Sequence, residues 1–476
     1  MTRRIETDVC VIGGGSAGLS VVAGAAQMGA STVLIERGDM GGDCLNTGCV
    51  PSKALLAAGH VAQTMRMAEP FGIAPVAPAI DFAKVNDHVR GVIAAIAPID
   101  SQERFEGLGA TVLRDSATFT GRDTLVAGDV EVKARRFVIA TGSSALVPPI
   151  PGLDRTDHLT NDTVFTLRTA PAHLVVLGGG PIGVEMAQAH RRLGSQVTVV
   201  EQATILPKDD PDLVDVVRQS LLAEGIVLQE GLRATAVDPG RDGGIVLTGE
   251  RDGQTVTVAG SHLLVAVGRK PTVDGMGLEA AGVEYSAKGV KVDRGLRTTN
   301  SKIYAIGDVV GGPQFTHVAG YHASVVVRSM LFRMPAKVNY AALPWVTYTD
   351  PELANVGLTE AAARDIHGDR VSITEWPYAD NDRAQTERAT DGRIKVVLGR
   401  RGRILGAGIA GRQAGELILP WALAIAQKLT IRAFTGVIAP YPTLSEVSKR
   451  AAGAFYTPAL FSDRTRKIVR FLGRFG

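Results

Sequence analysis

The strongest constraint on the fold is a pattern that occurs twice. Asp8-Val9-Cys10-Val11-Ile12 reads as a buried strand, Gly13-Gly14-Gly15-Ser16-Ala17-Gly18 as a turn into an Ala-rich helix, and Ser31–Ile35 as a second strand ending at Glu36. This is G-x-G-x-x-G in the setting it requires: strand, turn, helix, strand, acid. Gly13 permits the tight turn, Gly15 lets the backbone approach a pyrophosphate, and Gly18 lets helix and sheet pack closely. The pyrophosphate belongs at the helix N-terminus, and Glu36 is placed to accept from an adenosine ribose. The pattern returns at His173–Leu177, Gly178-Gly179-Gly180-Pro181-Ile182-Gly183 and Gln196–Val200, ending at Glu201. The chain is therefore α/β, with an internal repeat of one dinucleotide-binding architecture. An acid at Glu201 pairs with a free 2′-hydroxyl and repels a 2′-phosphate, favouring NADH over NADPH, and no arginine follows within five positions to reverse that.

Between the repeats lies Gly41-Gly42-Asp43-Cys44-Leu45-Asn46-Thr47-Gly48-Cys49-Val50-Pro51-Ser52-Lys53, which holds two of the three cysteines. In an ideal helix Cα atoms at this spacing lie roughly 8.7 Å apart, beyond the roughly 7 Å limit for a disulfide. A bridge needs a distorted first turn, which Asn46, Thr47 and Gly48 tolerate. A regular helix is expected from Pro51 onward through Leu56. A strained or exposed bridge is the labile, catalytic kind, and a helix N-terminus lowers the pKa of a thiol beside it. Two buried cysteines or half of a metal site are the alternatives that the pair by itself leaves open. Cys10, mid-strand, reads as a small core residue.

The length of 476 residues suggests about three domains. A net charge of +3 gives no global signal for nucleic acid. The first residues carry no apolar leader core, and no apolar run reaches the ~18 residues of a membrane span. Three cysteines exclude a structural disulfide framework; a cytoplasmic protein is expected, where a disulfide is more often catalytic. Residues 54–115 read as mostly helical. Phe137–Ser143 reads as a buried strand into a loop, and Pro148–Gly152 as a linker. Ile303–Asp308 is an apolar strand ending in an acid, suited to the ligand edge of a sheet. Beyond residue 340, strands at Arg393–Leu398 and Ile404–Ile409 flank a turn at Gly402, and 413–428 reads as helical.

With G-G-D-C-L-N-T-G-C-V-P-S-K, both G-x-G-x-x-G units, A-T-G at 140–142, A-I-G-D at 305–308 and P-T-L-S-E at 442–446, the sequence resembles the class I flavin-dependent pyridine-nucleotide–disulfide oxidoreductases. That group includes dihydrolipoamide dehydrogenase, glutathione reductase and mercuric reductase. The resemblance covers nearly the whole chain. It implies two Rossmann-type dinucleotide-binding domains, for FAD and NAD(P), and a C-terminal α+β dimerisation domain. The expected divisions are an FAD-binding domain at 1–150, an NAD(P)-binding domain at 151–275, a return segment at 276–338 completing the first, and a dimerisation domain at 339–476. FAD would contact Gly13, Gly15, Ser16, Ala17, Gly18, Glu36, Gly42, Lys53, Ala140, Thr141, Gly142, Gly307 and Asp308. NADH would contact Gly178, Gly180, Ile182, Gly183, Glu201 and Gly268. By the same resemblance Cys44 is the interchange thiol and Cys49 the charge-transfer thiolate against the flavin. Lys53 is ion-paired with Glu185 near the reactive flavin nitrogen, and a homodimer shares the active site. A resident metal is not expected; the substrate is a small disulfide, a dithiol or a soft metal ion.

The ending departs from the disulfide-reducing members, which carry a catalytic histidine five positions before the glutamate. Here that position is Tyr441, with Glu446 in place, and no histidine follows His367. Tyrosine titrates near 10 and is a poor base at neutral pH. Mercuric reductase has a tyrosine at the corresponding place, and soft thiolates suit mercuric ion. This chain lacks that enzyme's C-terminal cysteine pair, and no metal-binding domain precedes its first strand. The leading expectation is a mercuric-reductase-like enzyme; the alternatives are dihydrolipoamide dehydrogenase and a non-catalytic redox sensor. Finally, Arg464, Arg466, Lys467, Arg470 and Arg474 alternate with Ile468, Val469, Phe471, Leu472 and Phe475. The tail reads either as a basic amphipathic helix, a candidate membrane-surface or acidic-partner contact, or as a solvated end.

Overall fold

A computed structural model describes residues 3–240 and 243–475. Strand β1 (Arg3–Ile12), helix α1 (Ser16–Gln27) and strand β2 (Thr32–Ile35) form the first repeat unit. A short helix α2 (Gly42–Asn46) and a long helix α3 (Cys49–Arg66) follow, then α4 (Phe82–Ile96), β3 (Ala110–Leu113), β4 (Ala117–Phe119), β5 (Thr124–Ala127) and β6 (Val130–Ile139). They build a seven-stranded sheet in the order β3-β2-β1-β6-β5-β4, with Ile303–Ala305 pairing in parallel with β6. The late strand thus returns to the first sheet. In β1, Val9 and Val11 face one core with Leu34, Val138 and Tyr304, while Cys10 and Ile12 face the other with Phe119 and Phe137. Both faces are covered, so every residue of this stretch is apolar rather than alternating with polar ones. Cys10 is fully buried, and burial holds its thiol well above the ordinary range.

The second unit is a four-stranded parallel sheet in the order Val227–Glu230, Gln196–Glu201, His173–Leu177, His262–Val265. Its first helix, Pro181–Arg192, starts earlier than the Gly-rich turn suggests, because proline fits the first helical position. The two turns are near copies. Gly13 and Gly178 have φ of +110° and +114°, and a Cβ on either would collide with the carbonyl of Ala140 or Ala266. A Cβ on Gly18 or Gly183 would collide with the carbonyl of Gly13 or Gly178. A three-stranded antiparallel layer, Arg233–Pro239, Ile245–Arg251 and Gln254–Gly260, caps this unit.

The third sheet has five antiparallel strands in the order Pro344–Thr347, Glu352–Gly357, Ile404–Gly411, Arg393–Leu398, Ser372–Pro377. The expected helix at 413–428 is two pieces, Ala414–Leu417 and Leu419–Ala426, with Pro420 in the first turn of the second. Lys395, almost fully buried, reaches from this sheet to Asp210 and Asp212 at the start of helix Pro211–Ala223 and to Glu360. That cluster joins the second unit to the third. The tail forms a helix, Asp463–Leu472, whose first turn is capped by Ser462.

Candidate active site

The helix carrying the second thiol begins at Cys49, two residues before the expected start at Pro51. Gly48, at φ −129° and ψ −111°, breaks the chain between α2 and α3, so the two cysteines sit on separate helices. Pro51 at the third helical position loses nothing, since that N–H would have no intrahelical partner. Asp43 fixes the loop. Its Oδ1 accepts from Asn161 Nδ2 at 2.8 Å and Thr47 Oγ1 at 3.0 Å, and lies 3.2 Å from the Arg269 guanidinium.

Cys44 and Cys49 face one another as free thiols. The hydrogen bond from Cys44 pulls Cys49 down to about 6, helped by Thr316 and the Lys53 charge and opposed by burial and Asp43. The same hydrogen bond, with burial, pushes Cys44 far above the usual thiol range. Thr316 Oγ1 lies 3.3 Å from Cys49 Sγ, at the start of helix Thr316–Leu331. Lys53 Nζ lies 2.7 Å from Glu185 Oε2 and 4.4 Å from the Tyr348 ring centroid. Glu185 Oε1 accepts from Tyr348 N at 2.9 Å. Two residues from distant parts of the chain thereby hold the lysine beside the thiols.

The thiols, both glycine turns, Lys53, Glu185, Asp308 and Tyr348 line one continuous cleft of about 2390 Å³. That exceeds twice the ~1,000 Å³ upper range of ordinary small-molecule sites, room for two dinucleotides. The cleft fits them chemically. α1 and helix Pro181–Arg192 both start without a side-chain cap or first-turn acid, leaving N–H groups for a pyrophosphate. Glu36 accepts from Gly14 N and Gly38 N, both at 2.5 Å; Glu201 repeats this with Gly179 N at 2.8 Å and Ala203 N at 2.9 Å. Asp308 takes Ser143 Oγ at 2.6 Å, and burial raises its carboxyl pKa. Arg269, mostly buried, donates Nε to Ser143 Oγ at 2.7 Å and so links Asp308 to Asp43.

Gly13, Gly15, Ser16, Ala17, Glu36, Gly42, Ala140, Thr141, Gly142, Gly178, Gly180, Ile182, Glu201, Gly268 and Gly307 all lie in the cleft wall. Gly18 and Gly183 stand behind it, where helix meets strand. Tyr441 and Glu446 are not in the wall of their own chain's cleft. Tyr441 is exposed and donates to Asp382 Oδ2 at 2.8 Å. Sequence reasoning missed Asp43 as a ligand of its own loop, and missed Ser143, Asn161, Arg269, Thr316 and Tyr348. Only Arg269, beside Gly268 after an apolar strand, and Thr316, at a helix start, carried any local signal.

The pyridine nucleotide-disulphide oxidoreductase family matches residues 7–323, and its dimerisation domain matches residues 343–452. A mercuric reductase of Streptomyces lividans is 37% identical over 466 residues, covering 94% of this chain and 96% of that protein. A dihydrolipoyl dehydrogenase of Geobacillus stearothermophilus is 34% identical, with 94% and 96% covered. The Cu(II) complex of the HOCl-induced flavoprotein disulfide reductase RclA from Escherichia coli superposes with a TM-score of 0.82 at 27% identity, covering 93% of this chain and 99% of that one. Two glycine-turn units opening on one cleft, a thiol pair between them and these matches over nearly the full length lead to one conclusion: the chain belongs to the pyridine nucleotide-disulphide oxidoreductases, FAD-dependent enzymes whose dimerisation domain it also carries.

Proposed function

We propose that the enzyme moves electrons from NADH, through FAD, to the Cys44–Cys49 pair and on to a soft metal ion or a small disulfide, the metal being the favoured acceptor. The observation that carries this reading is the split between the two thiols, with Cys49 lowered to about 6 and Cys44 raised. At neutral pH the reduced pair is one thiolate and one thiol, a soft donor set. Bound FAD supplies hydride acceptance and the two-electron relay to the disulfide. Lys53 brings positive charge to the same region and is held there by Glu185, which suits charge developing on reduction.

Three points favour the metal. Tyr441 stands where a disulfide-reducing member has its acid–base histidine. The relatives include mercuric reductases, and RclA forms a Cu(II) complex. Glu201, whose carboxylate accepts from Gly179 N at the second glycine turn, supports NADH, since an acid there would pair with a free 2′-hydroxyl and repel a 2′-phosphate. The dimerisation-domain match supports a homodimer, in which Tyr441 and Glu446 would serve the partner's thiols. The dihydrolipoyl dehydrogenase relatives and Glu201 favour a second reading, dihydrolipoamide dehydrogenase.

The test is steady-state NADH oxidation by the FAD-loaded enzyme with mercuric ion, cupric ion, low-molecular-weight disulfides and lipoamide in turn. The proposal expects metal- or disulfide-dependent turnover that Cys44→Ser abolishes while NADH still bleaches the flavin. Brisk NAD reduction by dihydrolipoamide, without metal turnover, would establish the dehydrogenase instead. Turnover with none of these acceptors would leave a redox sensor.

A further inference from the structure

The last helix has no role in the chemistry above. It runs Asp463–Leu472, and none of its side chains is buried. At about 100° per residue, Phe471, Ile468, Leu472, Thr465 and Val469 fall on an arc of roughly 160°. Arg466, Lys467, Arg470 and Arg474 fall on the opposite arc. Arg464 alone lies toward the apolar side, where its stem can follow the surface while its head reaches out. Ile468, Val469, Phe471, Leu472 and Phe475 are 48–74% exposed, and Leu460 and Phe461 just before the helix extend the apolar strip. The Phe471 and Phe475 rings meet edge-on, 5.2 Å between centroids. The helix is also preformed: Ser462 Oγ accepts from Thr465 N at 3.3 Å, and Thr465 Oγ1 donates back to Ala459 O at 2.9 Å. Binding through it therefore carries little ordering cost.

We infer that the C-terminal helix 463–472, with Phe475, docks the enzyme flat on an anionic lipid surface, its apolar arc in the acyl boundary and its basic arc among the headgroups. Charge selects this occupant. The segment holds five of the chain's 51 basic residues and one of its 48 acidic residues, so the rest of the chain is net negative by one. The positive charge is thus concentrated on the helix that also displays the apolar strip, the combination an interfacial helix needs. At ten residues it is about 15 Å long, too short to span a bilayer. One face of so short a helix is also far below the ~800 Å² per partner of a stable protein interface. The helix lies beyond residue 452, where the dimerisation-domain match ends. In a homodimer two such helices reinforce each other on a surface.

The test is flotation of the FAD-loaded enzyme with vesicles of phosphatidylcholine alone or with one-third phosphatidylglycerol. Enrichment on the anionic vesicles of about tenfold is expected, reversed by high salt. Leu472→Asp with Val469→Asp, and separately Arg466→Glu with Arg470→Glu, should each abolish flotation while NADH bleaching of the flavin is unchanged. Equal flotation by the chain truncated after residue 462 would overturn the inference, as would equal binding to neutral vesicles. So would absence of binding together with a larger oligomer that Leu472→Asp dissolves, which would make a second copy the occupant.

Discussion

Thr316→Val tests the electrostatics of the thiol pair at one atom. The change keeps the side-chain shape and removes the hydroxyl 3.3 Å from Cys49 Sγ. Thr316 is exposed at the start of its helix, so no cavity forms. When Cys49 is a thiolate it can only accept, so the threonine donates and favours the charged form. A hydrogen bond to a charged group is worth about 1.5 kcal/mol at the low end, roughly one pKa unit. The Cys44 hydrogen bond remains and is the larger influence. Cys49 should therefore rise from about 6 to roughly 7, and its thiolate fraction at pH 7 should fall from about 90% to about 50%. The assay is the rate of carbamidomethylation of Cys49 in the reduced enzyme against pH, read by mass spectrometry. The rate should reach its plateau one unit later in the variant. An unchanged midpoint would refute the argument, because the hydroxyl would then not be stabilising the thiolate.

Lys53→Met removes a positive charge near Cys49 and the partner of Glu185, whose carboxylate is 5% exposed and keeps only Tyr348 N. Because the lysine is itself partly exposed, the loss should be about 1–2 kcal/mol in chemical unfolding, with a delayed Cys49 alkylation midpoint. Lys395→Met leaves Asp210, Asp212 and Glu360 facing one another without their cation; a loss of about 3 kcal/mol should appear as a lower urea midpoint. Asp212 and Glu360 have folded pKa values below the ordinary carboxylate value, chiefly through the Lys395 hydrogen bond. Their contribution is present above the unfolded pKa and is lost as pH falls through the folded one, so the wild-type advantage should shrink below about pH 4. Glu201→Ala should raise the KM for NADH about tenfold and narrow the preference over NADPH, in steady-state assays with each nucleotide.

The parts of this protein readable from sequence are those whose chemistry is local. The last glycine of each turn packs against the first, five residues back, and the carboxylates of Glu36 and Glu201 close onto backbone N–H groups two residues ahead and twenty-two behind. Such geometry repeats wherever the spacing repeats, so the first unit predicts the second. A bridge at the thiol spacing likewise needs a distorted turn, and Gly48 breaks the helix there. What escaped reading was assembled across the fold. Arg269, Asn161 and Asp43 are far apart in sequence and meet only because two sheets share one cleft. Tyr348 reaches Lys53 and Glu185 from the third sheet. The early start of α3 escaped for a smaller reason: proline tolerates the third helical position as well as the first.

The placement of Tyr441, outside its own chain's cleft, bears on the proposed acceptor. The thiolate is prepared within one chain by Cys44, Thr316 and Lys53, while Tyr441 and Glu446 lie outside the wall of that chain's cleft. Tyr441 is held outward by Asp382, and the interaction keeps its hydroxyl protonated by raising its pKa further. Ile438, three residues earlier, is 91% exposed and Val437 beside it is exposed too. Apolar side chains presented this way on the region matched by the dimerisation domain call for a covering surface. In the proposed homodimer, a second copy covering them would bring a tyrosine, not a base, toward the thiols. Such a site can offer a hydrogen bond to a substrate but cannot take a proton at neutral pH. On the proposed reading, an acceptor that needs no proton relay to leave, such as a metal ion bound by thiolates, would be matched to such a site; a dithiol that must be deprotonated would not.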